Sequence, residues 1–194
     1  MTESVQRTRV CGECSLCCTV LRVDELRKLG GTPCLHQRSG GGCTIHARRP
    51  GICRSYECLW LSGSLGADDR PDRLGAVVDL VNEGGSVKLV IRQARPGALE
   101  ASTRLQEIAA TYRISMPVRI NDVDAVLDED RRFRVLMPDG VEHHVEGEWM
   151  TIHHPDGRAE RRRMPWLERW ALRTAHAWKR RRFRRMQSLG PKRV

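Results

Sequence analysis

All eight cysteines of this 194-residue chain fall between residues 11 and 58. They run Cys11-x2-Cys14-x2-Cys17-Cys18, then Cys34, Cys43, Cys53 and Cys58. Two-residue spacing lets a tight turn aim two sulfurs at one centre while backbone N–H groups point towards the anionic thiolates. Neighbouring side chains diverge, so Cys17 and Cys18 are not expected to bind one tetrahedral ion together: either they serve different metal atoms, or one of them is a redox-active or supporting thiol beside the site. A polynuclear cluster, or two separate sites, accommodates the pair better than a single zinc. The spacing leaves open how eight thiols divide between centres.

An even count of this size would suit disulfides in a short secreted chain. The opening MTESVQRTRVCGEC has no apolar segment and no small-residue cleavage site. No stretch approaches the length of continuous apolar sequence that a membrane span needs. The expectation is a cytoplasmic protein with reduced thiols that hold metal. Scattered cysteines often serve as small hydrophobes, but eight in ordered short spacings do not fit that role. Forty per cent of residues are hydrophobic, with only two Phe and two Tyr, and 30% are charged. This predicts a modest, mainly aliphatic core, and chains with thin cores lean on metals for stability.

The sequence divides into three parts. Residues 1–61 form a cysteine-rich region of loops, with one short helix expected from Asp24 to Leu29, capped by Asp24 and stopped by Gly30-Gly31. Residues 62–163 have α+β texture. Leu74 to Val81 and Val87 to Arg92 read as antiparallel strands around an Asn-Glu-Gly-Gly turn, residues 98–113 as a helix, and Pro117 to Ile120 as a strand. Two Pro-Asp-Gly turns, at 138–140 and 155–157, organise a β-meander from Arg132 to Arg163. Residues 164–194 contain a helix that starts at Pro165 and ends before Gly190-Pro191. The predicted fold class is α+β: cysteine-rich metal-binding loops packed on a small mixed or antiparallel sheet with a helix, plus a basic C-terminal helix.

The cysteine spacing partly matches the C-x2-C-x2-C run of bacterial ferredoxins, although no cysteine here precedes a proline. The fuller pattern is C-x2-C-x2-C-C at 11–18, then Pro33-Cys34, Cys43-Thr44-Ile45-His46 and Arg49-Pro50-Gly51-Ile52-Cys53-Arg54-Ser55-Tyr56-Glu57-Cys58. In this order it resembles the CxxCxxCC cysteine-cluster family, the YkgJ-like zinc- or iron-chelating domains. The resemblance covers about residues 9–61 and, more weakly, Pro71 to Leu99. It implies metal chelation by Cys11, Cys14, Cys17, Cys18, Cys34, Cys43, Cys53 and Cys58, with an iron–sulfur cluster of the [4Fe–4S] kind or zinc as the cofactor. Some relatives are iron–sulfur oxidoreductases. No Cys-x3-Cys-x2-Cys run and no GxGxxG loop supports an enzymatic assignment here.

Four thiolates around Zn²⁺ or a [4Fe–4S]²⁺ core leave a net charge of about −2. Arg9, Arg22, Arg48, Arg49 and Arg54 are the cations near enough in sequence to offset it. His36 and His46 lie among the later cysteines and are candidate replacements for a thiolate, against the plainer reading as polar loop residues. His143-His144 and His153-His154 flank the two turns. If their strands pair, one imidazole of each couple meets the other, as exposed strand residues or as a second metal site. Asp68-Asp69, Asp122-Val123-Asp124 and Asp128-Glu129-Asp130 read as solvated turns, since no nucleophile or phosphate motif accompanies them.

The basicity belongs to the C-terminal end. From Arg158 onward there are 14 Lys and Arg against two acidic residues, while the first 157 residues carry 20 against 22. Trp166, Trp170, Thr174 and Trp178 form a stripe at helical spacing, expected to dock on the β region. The alternatives are nucleic-acid binding through residues 158–194, by phosphate contacts and base stacking, or attachment to an anionic membrane surface. The leading functional expectation is a metal-binding protein with an electron-transfer or structural role and, if redox-active, a partner protein. The alternative is a nucleic-acid-binding protein with a structural zinc module.

Overall fold

The computed structural model describes residues 9–122 and 132–192. Asp128-Glu129-Asp130 and most of the 122–124 segment lie outside the described residues. The architecture is α+β: a seven-stranded sheet in sequential order, with six helices. The strands are β1 (Ala76–Glu83), β2 (Ser86–Gln93), β3 (Val118–Asp122), β4 (Arg132–Leu136), β5 (Glu142–Glu146), β6 (Trp149–His153) and β7 (Ala159–Arg163). All neighbours are antiparallel except β2 and β3. That parallel step needs a crossover, supplied by α4 (Ala98–Ala101) and α5 (Thr103–Arg113). The single helix expected over 98–113 is broken at Ser102, whose hydroxyl accepts from Leu105 N–H and caps α5.

The start of β1 explains how the sheet meets the cysteine region. Ala76, Val77 and Val78 are all buried, because the two faces of the strand are covered by different parts of the chain. Ala76 and Val78 join Leu89, Ile91, Leu105, Ile108, Val118 and Ile120 under the crossover helices. Val77 points the other way, into a cluster with Val20, Leu61 and Cys58. A continuous apolar run marks a strand covered on both sides. Leu74-Gly75, expected to open this strand, instead close a short helix, α3 (Pro71–Leu74), with Gly75 in the left-handed region at φ 71°.

Polar residues inside this core are accounted for by partners. Buried Gln93 accepts from Leu99 N–H at the start of α4 and donates to Asp122 at 2.9 Å. Asp69 is a correction to the reading of 68–69 as a solvated turn: only Asp68 is exposed. The Asp69 side chain is 5% exposed and clamped by both arms of Arg104 at 2.8 Å and by Gly66 N–H.

The meander β4–β7 follows the two Pro-Asp-Gly turns as expected, and Arg113 ties its first turn to α5 through Met137 O and Glu142. The C-terminal helix α6 (Trp166–Ser188) also matches its predicted span. Glu148 holds its first part through Arg169 and Arg173, and also pairs with Arg163 at the end of β7. Its far end reaches the cysteine region, where Phe183 is buried beneath the Arg22 guanidinium, 4.5 Å from the ring centre, and Arg182 pairs with Asp24 at 2.9 Å. The tryptophan stripe does not dock on the β region. Trp166, Trp170 and Trp178 are 67%, 64% and 62% exposed, because Phe183 and the arginines, not the indoles, make the contacts that seat the helix. Among the described residues no helix is long and apolar enough to cross a membrane.

Candidate metal centre

Residues 9–61 fold as short helical pieces joined by turns, and these pieces aim the thiols inward. The chain reverses at Cys11, where Cys14 N–H donates to Cys11 O at 2.8 Å. It then enters α1 (Leu16–Val20), which carries Cys17 and Cys18 and is anchored by buried Val20. The short helix expected from Asp24 is instead a 3-10 turn over Asp24–Leu26. Val23 precedes it, and Arg27 ends it in a left-handed conformation at φ 52°. Gln37 N–H donates to Cys34 O, and Gln37 bridges Cys43 across a short antiparallel contact. The Gln37 side chain is gripped by Ser15 and Thr19 at 2.9 and 3.2 Å, which fixes the Cys34–Cys43 loop against α1. Cys53 lies on α2 (Gly51–Ser55), where Glu25 accepts from Ile52 N–H. Cys58 is sewn to the sheet next door, where Leu59 N–H donates to Val78 O at 2.9 Å.

The glycine run 40–42 is a close-approach device. A Cβ on Gly41, at φ 108°, would stand 2.1 Å from Glu13 O, and one on Gly42 would stand 3.0 Å from Gly12 O. Only glycine lets the two backbones touch there, and that contact brings the loop ending in Cys43 against the Cys11–Cys14 turn.

The result is one cavity of about 260 Å³ lined by all eight cysteines. All eight are free thiols. His36 and His46 line it too, and the buried His36 Nε2 has no hydrogen-bond partner among the described residues. His46 faces Arg49, at 2.8 Å. Among the described residues, no three or more His, Cys, Asp or Glu side chains close on a single point as an ion site. The thiols surround a volume. Soft thiolates with a buried, uncommitted imidazole nitrogen are a donor set that fits zinc or an iron–sulfur core.

Charges around the cavity differ from those expected. Of the five arginines singled out in the sequence, Arg22 and Arg49 line it. Arg9 is spent on Trp60 O and Leu65 O, at 2.9 and 2.8 Å, and Arg48 and Arg54 are not among the lining residues. The cation that sequence reasoning missed is Lys28, which is 5% exposed. Its ammonium donates to the carbonyls of Thr19, Leu21 and Leu29. Burial lowers Lys28 to about 8, against the opposing pull of Cys34, Cys18, Cys17 and Cys53. Burial raises the thiols of Cys14, Cys43 and Cys58, and raises Cys53 to about 11 with help from Cys18, Cys34 and Cys43. Within the adjacent pair, Cys18 is lowered: the neighbouring Cys17 thiol, then Lys28 and Arg49, favour its charge against burial.

A second missed feature borders the cavity. Tyr56 donates to buried Asp79 at 3.0 Å, and Asp79 is paired with Arg92. Burial, then the Asp79 charge, pushes the Tyr56 phenol up. No spacing rule marks this triad, because its members come from α2's exit, β1 and β2.

The histidine couples on the meander partly meet as expected: the His144 and His153 rings are 4.5 Å apart between centres. Burial, then His153, lowers His144. His144 Nε2 and His154 Nε2 lie 3.7 Å from Glu142 and Glu160, beyond normal hydrogen-bond reach. No family model, curated protein or solved structure matches this chain.

Proposed function

We propose that this chain is a metal-binding cysteine-cluster protein of the CxxCxxCC kind, and that it holds iron–sulfur of the [4Fe–4S] type. The observation that carries the reading is the convergence of eight reduced thiols, from five separate turns and helices, on one cavity. A closed zinc site brings four sulfurs to about 2.3 Å from one ion, whereas these thiols ring a larger volume, which favours a polynuclear core. When bound, such a core supplies one-electron redox chemistry or simple structural cross-linking. The chain's own residues would supply the thiolates, the cations of Lys28 and Arg49, and an apolar wall of Val20, Leu61 and Val77 that limits water. The partner implied is a redox protein in a reducing, cytoplasmic setting. The test is the absorption spectrum of full-length protein isolated without oxygen. A brown solution that bleaches with dithionite supports the reading, and a colourless solution containing zinc replaces iron–sulfur with a structural zinc module.

A second reading is supported by the exposure of Trp166, Trp170 and Trp178 on a helix dense in arginine. Stacking indoles beside guanidinium groups suit phosphate-backbone and base contacts without sequence preference. Removal of residues 165–194 would then abolish salt-sensitive binding to random-sequence DNA. Unchanged binding counts against this reading.

A further inference from the structure

We propose that the eight cysteines form two four-thiolate centres. One uses Cys11, Cys14, Cys17 and Cys58 against the sheet, and the other uses Cys18, Cys34, Cys43 and Cys53 beside Lys28. The division rests on the metal-binding reading above and adds a count and a partition to it.

The divider is α1. At 3.6 residues per turn, consecutive helical side chains diverge by about 100°. Cys17 lies three residues before Val20, so the two share a helix face, and both belong to the apolar cluster built on Val77 of β1. Cys11 and Cys58 belong to that same cluster. Cys14 joins them through the Cys11–Cys14 turn. Cys18 is turned off that face. Its companions are fixed by other bonds: Cys34 and Cys43 are joined through Gln37, which α1 itself grips by Thr19. Cys53 sits on α2, which Glu25 ties to the turn closed by the Val23–Lys28 bridge.

The two centres have unequal surroundings. The first lies against the apolar wall of Val20, Leu61 and Val77. The second has Lys28 and Arg49 facing it, and His36 beside it, two residues from Cys34 and bonded through its carbonyl to Thr44 N–H. Cations and hydrogen-bond donors raise a cluster's potential, so the second centre is the one reduced first.

The experiment is metal and acid-labile sulfide per chain in full-length protein isolated without oxygen, compared with three double variants. Cys11→Ser/Cys58→Ser and Cys34→Ser/Cys53→Ser should each lose half of the metal and keep the rest. Cys58→Ser/Cys34→Ser, which takes one thiolate from each set, should lose nearly all of it. If a double variant does not fold, Cys17→Ser and Cys18→Ser alone should each halve the content. A wild-type content equal to one centre, or complete loss in both same-set variants, overturns the partition and leaves the metal-binding reading standing. A folded wild-type chain with no metal overturns both.

Discussion

The backbone of Gly41 lies so close to the carbonyl of Glu13 that a single added carbon would stand 2.1 Å from the Glu13 oxygen. This contact joins the two stretches of chain that carry the earliest and the middle cysteines. Gly41 is in the left-handed region, where a side chain also costs about 1–3 kcal/mol in backbone strain. Gly41→Ala should therefore lower stability by at least that amount and separate Cys43 from the Cys11–Cys14 turn. Metal content per folded chain should fall with it. Gly40→Ala provides the control, since nothing stands within 4 Å of a Cβ there. It should show the strain without the loss of metal.

Lys28 should prove necessary to the cysteine region in a way that no exposed lysine is. Lys28→Met keeps the volume but strands the carbonyls of Thr19, Leu21 and Leu29, at a cost of about 1–3 kcal/mol. It also removes a positive charge facing Cys34, Cys18 and Cys53. Chemical denaturation measures the first effect. The second is measured by chelator challenge, in which the variant should release metal faster than wild type.

Asp69 gives the fold a defined acid sensitivity. Arg104, then Gly66 N–H, hold its carboxyl below the ordinary 3.8 despite burial. The folded pKa lies below the unfolded one, so the stabilisation is present above about pH 4 and is lost as pH falls through the folded value. Asp69→Asn should cost about 1–3 kcal/mol at neutral pH. The gap between wild type and variant should narrow steadily below pH 4 in urea titrations.

The two faces of α6 should behave oppositely. Phe183 is buried against Arg22, so Phe183→Ala should detach the helix end, at a cost of about 3 kcal/mol. Trp170→Ala and Trp178→Ala should be nearly neutral for stability, because both indoles face solvent. Protease sensitivity at Lys179–Arg185, read beside thermal unfolding, separates the two classes.

Much of the scaffold was legible from local signals. The Pro-Asp-Gly turns predicted the meander, and Pro165 with Gly190 predicted the span of α6, because turn and cap chemistry acts within a few residues. The break at Ser102 was not legible. The apolar positions Leu99, Leu105, Ile108 and Ala109 keep helical spacing across it and mask the new cap. Periodicity marks an amphipathic face but does not say what covers it, which is why the tryptophan stripe was expected to be docked. At the centre, the order of the cysteines was visible from the start. The contacts that bring them round one cavity were not, since Gln37, Lys28, Gly41 and the face of α1 act between segments distant in sequence. Asp69 and Tyr56–Asp79 are invisible for the same reason: their partners lie 35 and 23 residues away.

Whether eight thiolates around one cavity hold metal is decided by iron, zinc and acid-labile sulfide per chain in full-length protein isolated without oxygen. Iron and sulfide should be present in comparable amounts, at the level of two cubane clusters. Folded protein with eight titratable thiols, no bound metal and no response to chelator would contradict metal binding.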